Sequence, residues 1–317
     1  MVARTTSNEI NPTRSWMDTP PRFPLVRRLS GEMIAAMPWL DKVSQSVKDA
    51  TEQVFGQPRT PAYKVKDFLA GVWFGHPVHP ALVTIPIGAW TSALILNLAW
   101  LSDEDEGVAK SADILMWVGN ASAVGSAATG IANWVDTDGM EQRTGVLHAL
   151  LNGSSLVLNV TSGLLSLAGR RRSALALSST AYALTIYSAF IGGELAYSNA
   201  IGVNRVAAEG GSDDYVAVIA EEELTPGKLT RVDAAGIPAV LIKDGTKICA
   251  IAATCSHLSG PLDEGSYEDG IVYCPWHSSG FRMCDGSVVN SPAVYAQPTF
   301  AVRVRDGMVE LRRLEHA

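Results

Sequence analysis

The sequence predicts a multidomain chain: an α-helical bundle of four transmembrane helices followed by a small antiparallel all-β domain. Hydrophobic residues make up 47% of the 317 positions, and the excess lies in four nearly charge-free runs, 81–101, 114–135, 146–168 and 173–193. A helix of about twenty apolar residues crosses the roughly 30 Å of bilayer hydrocarbon. After position 214 the pattern changes to short apolar segments divided by Gly, Asp and Pro, which predicts short strands and turns.

The elements follow in order. Residues 1–29 are rich in Pro, Arg, Ser and Thr, and their composition predicts disorder. Residues 30–75 hold an amphipathic helix and a lead-in; Pro38 suits a first helical turn, and Leu40, Val43, Val47, Ala50 and Val54 share one side. Residues 76–203 form the four-helix domain. Its polar residues are mostly Ser, Thr, Asn and Gly, as at Ser122, Ser126 and Gly130, which suit contacts between membrane helices. His148, Asn152, Ser155, Asn159 and Ser162 form one stripe that should face the bundle interior. Short connections predict up-down-up-down topology, with both termini on one side. Residues 204–214, rich in Gly and acid, read as a flexible linker. Residues 215–317 form the β domain, with strands expected at 215–219, 228–232, 239–243, 247–251, 271–273, 300–304 and 308–311.

Two loops of the β domain carry the chemistry. Cys255-Ser256-His257 is followed, after sixteen residues, by Cys274-Pro275-Trp276-His277. Two thiolates on one iron and two imidazoles on the other would hold a [2Fe-2S] centre with a potential of roughly −150 to +300 mV. Four such donors could also hold a structural zinc, giving a zinc-stapled membrane scaffold. Zinc sites usually draw a Cys pair from one segment and a His pair from another, whereas each loop here offers one of each.

The segments CSHLSGPLDEG and VYCPWHSSGFRMCDGSVVNSPA resemble the Rieske ferredoxin family, over roughly residues 215–313. The resemblance implies one-electron transfer, with Cys255 and Cys274 on one iron and His257 and His277 on the other. Respiratory members carry an extra disulfide-forming cysteine in each loop; Gly260 and Trp276 stand there, so that disulfide is not expected. Cys249 and Cys284 are expected as small buried residues of a strand and a turn, and such sparing use of cysteine points to a reducing compartment. High-potential members place a Ser and a Tyr after the second His to donate to the sulfurs. Ser279 and Phe281 stand there, which implies one donor kept and one absent, and an intermediate or low potential.

Three more histidines stand at the membrane half: His76 and His79 in GHPVHP, and His148 just inside the third run. Topology puts them on one side with Asn133, Asp136 and Glu194. The stretches VKDFLAGVWFGHPVHPALVTIPIGAW, GIANWVDTDG and RTGVLHALLN resemble a bacterial membrane domain known as domain of unknown function 2231, over roughly residues 64–203. Histidine with carboxylate at one depth suggests a haem b, another metal or a quinone site; interfacial anchoring is the simpler reading.

Residues 211–315 carry nine Lys and Arg against fifteen Asp and Glu, which disfavours nucleic acid and suits a basic docking surface. The expected function is one-electron transfer by a membrane-anchored iron–sulfur protein, an oxidoreductase component linking a membrane haem or quinone to a cytoplasmic partner. The competing expectation is a ferredoxin-type donor to an oxygenase or reductase, with the bundle only an anchor. The long polar N-terminal segment predicts insertion in the cell (inner) membrane with the β domain cytoplasmic.

Overall fold

A computed structural model describes residues 25–209 and 211–314. The chain divides into two units, 1–38 and 39–317. In the first, Leu25–Ala35 forms helix α1. Residues 25–29, expected as disordered, are therefore helical; the rest of that expectation, 1–24, lies outside the described residues.

The second unit opens with α2 (Trp39–Phe55) and α3 (Tyr63–Ala70). Gly71 ends α3 with φ +101°, and a side chain there would strike the His76 carbonyl, so only glycine suits both the angle and the space. A five-residue helix α4 (Val78–Leu82) leads into α5 (Thr84–Asp103), and then come α6 (Glu106–Trp134), α7 (Gly139–Leu167) and α8 (Arg171–Gly193). Four spans are long and apolar enough to cross a membrane: Val78–Asp103, Glu106–Trp134, Gly139–Leu167 and Arg171–Ser198. All four expected helices are present, and α6 and α7 begin about two turns earlier than hydropathy indicated. Asp105 explains one extension: its carboxylate caps α6 by accepting from the Val108 N–H at 2.8 Å.

The bundle is built on small and polar contacts. Gly119 of α6 lies under the Trp90 indole, whose Nε1 donates to Asn120 Oδ1 at 3.1 Å. Ser155 and Ser162 of α7 donate to the Ala181 and Ala174 carbonyls of α8 at 2.9 and 2.7 Å. The expected stripe on α7 does face inward, with Ser155, Asn159 and Ser162 buried.

Among the described residues, the β domain holds ten strands in three antiparallel sheets, ordered β1-β10-β9, β2-β3-β4 and β5-β6-β7-β8. In chain order they are Val216–Ala220, Thr230–Asp233, Pro238–Asp244, Lys247–Ala252, Ser266–Glu268, Ile271–Tyr273, Gly280–Arg282, Val288–Asn290, Phe300–Arg305 and Met308–Arg313. The seven expected strands are present. β5, β7 and β8, three residues each, lie between Gly and Asp turns and are too short to show an alternating pattern. One core, with Val240, Ile251, Leu262, Val272 and Phe281, packs directly behind Cys255 and Cys274.

Two expectations are corrected. Cys249 and Cys284 are joined in a disulfide with Cα atoms 4.8 Å apart: β4 and the turn after β7 bring residues 35 apart in sequence together, which separate strand and turn assignments could not show. This removes the cysteine argument for a reducing compartment. The segment 204–214 is not a free tether either. Val206 is buried, the Arg205 N–H donates to the Ser256 carbonyl, and the Arg313 N–H donates to the Ser212 carbonyl, so the segment packs along the β domain.

Candidate iron–sulfur centre

The two ligand loops are copies of one turn. The Cys255 N–H donates to the Gly260 carbonyl at 2.8 Å and the Ser259 N–H to the Cys255 carbonyl at 3.0 Å; Cys274 with Ser279, and Ser278 with Cys274, repeat these bonds at 2.9 and 3.0 Å. Ser259 and Ser278, each four residues after its cysteine, take φ of +65° and +61°. The turn directs backbone N–H groups at each sulfur, from His257 and Leu258 to Cys255 and from Trp276 and His277 to Cys274.

Both thiols are free and buried. They share a hydrogen bond, which holds the Cys274 thiol down at about 7 while the Cys255 thiol is pushed well up by the same bond and by burial. The His257 and His277 rings stand edge to face, 5.1 Å apart. Burial, with the nearby His277, Lys66 and Arg205 charges, lowers His257 to about 3, so it is a neutral imidazole ready to ligate. Among the described residues no three His, Cys, Asp or Glu close around a single ion. Each loop brings one thiol and one imidazole, and two irons need such a sulfur pair and imidazole pair; the donors fit that arrangement. A side chain at Gly260 would stand 2.6 Å from the Cys274 sulfur, so the loops approach too closely for a cysteine there.

Ser279 is fully buried, and its Oγ accepts from the Ala293 N–H at 3.0 Å, leaving its own proton free. Phe281 is fully buried in the core that contains both cysteines.

The ligand loops rest on the helical half, which hydropathy could not foretell. The Asp67 carboxylate of α3 accepts from the Ser291 N–H and hydroxyl, both at 2.8 Å. His277 Nε2 lies 3.9 Å from Asp138, and Arg59 pairs with Glu268 at 2.9 Å while covering the Tyr273 ring. Beneath them Lys66, buried, binds Asp136 at 2.6 Å and the Tyr63 hydroxyl at 2.8 Å. Burial alone would lower Lys66, but Asp136 holds its affinity for the proton above the ordinary lysine value. A crevice of about 280 Å³, bounded by Phe55, Tyr63, Lys66, Asp136, Trp276 and His277, opens beside the ligands. The only sequence signal for this seat was the charged run Lys64 to Asp67 inside an otherwise apolar lead-in.

The three membrane histidines do not gather with Asp136 and Glu194 into one set, since Asp136 is committed to Lys66. His76 is exposed, edge-on to Tyr295. His79 and His148 instead occupy equivalent places in successive hairpins. His79 Nδ1 meets the Ser126 carbonyl at 2.8 Å with its ring over Gly130; His148 Nδ1 meets the Ser188 carbonyl at 2.9 Å with its ring over Gly192.

Four helical spans and a β domain with paired Cys-His loops define a membrane protein of the iron–sulfur electron-transfer class. The Rieske [2Fe-2S] domain model matches residues 214–301, and the model described as predicted membrane protein (DUF2231) matches residues 75–205. Ferredoxin CarAc of Metapseudomonas resinovorans is 30% identical over 96 residues, 30% of this chain and 90% of that protein. The anthranilate 1,2-dioxygenase ferredoxin subunit of Burkholderia cepacia is 31% identical over 74 residues, 23% of this chain and 68% of that protein. Among solved structures, the ferredoxin of carbazole 1,9a-dioxygenase from Nocardioides aromaticivorans IC177 aligns with 27% identity and a TM-score of 0.30, covering 31% of this chain and 96% of that one. The chain belongs to the Rieske [2Fe-2S] family and carries that domain C-terminal to a DUF2231 membrane domain.

Proposed function

We propose that the chain is a membrane-anchored one-electron carrier, with Cys255 and Cys274 on one iron of a [2Fe-2S] cluster and His257 and His277 on the other. The repeated turn carries this reading: it aims two N–H groups at each sulfur and sets two imidazoles beside them. When bound, the cluster supplies reversible one-electron transfer. The protein buries the sulfurs, keeps His257 neutral and holds the histidine edge against α3 and the α6–α7 connection. That edge faces the helical half, so electrons pass between the cluster and a group or partner on that face; a redox partner protein is the broad class that the ferredoxin relatives support.

Purified full-length chain should contain two irons and two acid-labile sulfides, be paramagnetic only when reduced, and lose its visible spectrum in Cys274→Ala. Stoichiometric zinc without sulfide would overturn this assignment.

A second reading concerns His79 and His148. With each Nδ1–H donated to a carbonyl, each Nε2 is the unprotonated nitrogen, the tautomer used toward a metal; that of His148 accepts from the Asn152 amide at 3.1 Å, and that of His79 has no hydrogen-bond partner among the described residues. An unprotonated Nε2 on each ring suits haem b better than an oxidised quinone, which needs donors, with Asn152 giving way at His148. A sharp green absorption band in reduced protein, lost in His79→Ala and His148→Ala, is the expected result; a wild-type chain with no such band leaves these residues as helix-packing groups.

For membrane side, the disulfide favours the β domain on the oxidising face of the cell membrane, while Lys and Arg near the helix ends divide five (Arg59, Lys64, Lys66, Arg143, Arg205) against four (Lys110, Arg170, Arg171, Arg172) and favour neither side. The cytoplasmic expectation loses its cysteine support. Alkylation in intact cells should find Cys249 and Cys284 blocked; free thiols would return the domain to the cytoplasm.

A further inference from the structure

We propose that Arg205 sets the reduction potential of the centre from the membrane half of the chain, its uncompensated positive charge favouring the reduced form. The inference rests on the assignment of Cys255, His257, Cys274 and His277 to the cluster.

Arg205 follows the last helix and is bound to the first ligand loop. Its N–H donates to the carbonyl of Ser256, the residue between Cys255 and His257, at 3.1 Å, and Nη2 donates to the Asn199 carbonyl at 3.1 Å. Its Nε is buried without a hydrogen-bond partner. Among the described residues no carboxylate pairs with it, whereas the other charges at the seat are paired: Lys66 with Asp136, Lys48 with Asp138 and Arg59 with Glu268. A paired charge is partly offset by its partner, although Lys66 still acts on His257 together with Arg205; Arg205 has no carboxylate in contact to offset it. Two carboxylates oppose it: Asp67, held by the Ser291 N–H and hydroxyl, and Glu209, four residues further on, with Oε2 buried and without a hydrogen-bond partner.

The sign follows from counting charge. Two thiolates and two sulfides balance two ferric ions, so with neutral imidazoles the oxidised cluster is neutral and the reduced one carries −1. A nearby cation therefore stabilises the reduced form and leaves the oxidised form almost untouched. At an effective dielectric of about 20 to 40, a charge roughly 10 Å from the cluster changes the reduced-to-oxidised ratio about four- to sixteenfold. Hydrogen bonds to sulfur are thus not the only control: a chain lacking one donor at Phe281 recovers potential through a cation from its other domain.

The test is a redox titration of the full-length chain and of Arg205→Gln, Arg205→Lys and Asp67→Asn, with iron and sulfide counted in each. At a fixed potential, Arg205→Gln should lower the reduced-to-oxidised ratio about four- to sixteenfold. Arg205→Lys should stay near wild type, and Asp67→Asn should raise the ratio. Unchanged ratios overturn the inference, as does an equal fall in Arg205→Gln and Arg205→Lys, which would assign the effect to guanidinium contacts instead of charge. If Arg205→Gln loses the cluster, the absence of a rise in Asp67→Asn decides against it. A wild-type chain without iron and sulfide is a different result, because it defeats the ligand assignment itself.

Discussion

The two halves of this chain sort their side chains in opposite ways. In the β domain Val240, Leu241 and Ile251 are fully buried, while the acidic residues lie mostly outside. In the bundle Ser155 and Ser188 are fully buried, while Val157 is 66% and Ile114 64% exposed. One half is folded against water and the other against hydrocarbon, where apolar burial between helices gains little and small polar contacts hold them together. The seam shows both rules on one short helix. Lys66 and Asp67 of α3 turn toward Asp136 and Ser291, while Val65 and Phe68 are exposed, with Trp73 and Phe74 continuing that apolar surface.

The largest break in the comparison is expected at the seam. Lys66 is 3% exposed and its charge is balanced by Asp136. Lys66→Met leaves the carboxylate buried without its cation, which costs about 3–5 kcal/mol. Thermal unfolding should show a large loss, and Lys66→Met/Asp136→Leu should recover much of it. A single variant as stable as wild type would mean that the carboxylate reaches water.

The contrast between solvents is sharpened by one substitution placed in each half. Val157→Asp puts a charge on the lipid-facing side of α7 and should cost about 2.5–3.5 kcal/mol in membrane insertion. Val304→Asp, at a position 45% exposed on β9, should change stability by no more than about 0.5 kcal/mol. Folded yield in membranes against melting of the β domain measures the pair; similar small effects at both sites would argue against a lipid-facing α7.

Legibility divided along the same line. The four spans could be read because hydrocarbon thickness demands long uncharged runs, and the ligands because Cys255, His257, Cys274 and His277 are local in sequence. The inward stripe on α7 was legible from helical periodicity. The Cys249–Cys284 bond, the seat of Asp67 on Ser291 and the place of Arg205 depend on contacts between distant segments, which no local pattern encodes. β5, β7 and β8 escaped because three residues cannot display a period, whereas the equally short β6 showed itself by the consecutive β-formers Ile271, Val272 and Tyr273. The packing of 204–214 was hidden by its composition: Gly and acid suggested a tether, and one apolar residue, Val206, anchors it.

The smallest effect expected is at the hydrogen bonds to sulfur, where the two halves can be compared as sources of control over one centre. Ser279 Oγ already accepts from the Ala293 N–H, so its single proton is available to a sulfur acceptor. Such a bond strengthens as the cluster gains negative charge. Ser279→Ala should therefore lower the midpoint, and Phe281→Tyr, which adds a hydroxyl beside both cysteines, should raise it. A hydrogen bond is worth about 0.5–1.5 kcal/mol and a tenfold change in a one-electron equilibrium is about 59 mV, so each shift should be roughly tens of millivolts. Ser279→Ala also strips the buried Ala293 N–H of its acceptor, and melting should fall independently of the potential. Voltammetry on both variants separates the two consequences. A lower melting point with an unmoved midpoint would assign Ser279 to the covering loop alone, and leave the control of potential to the charges supplied by the helical half.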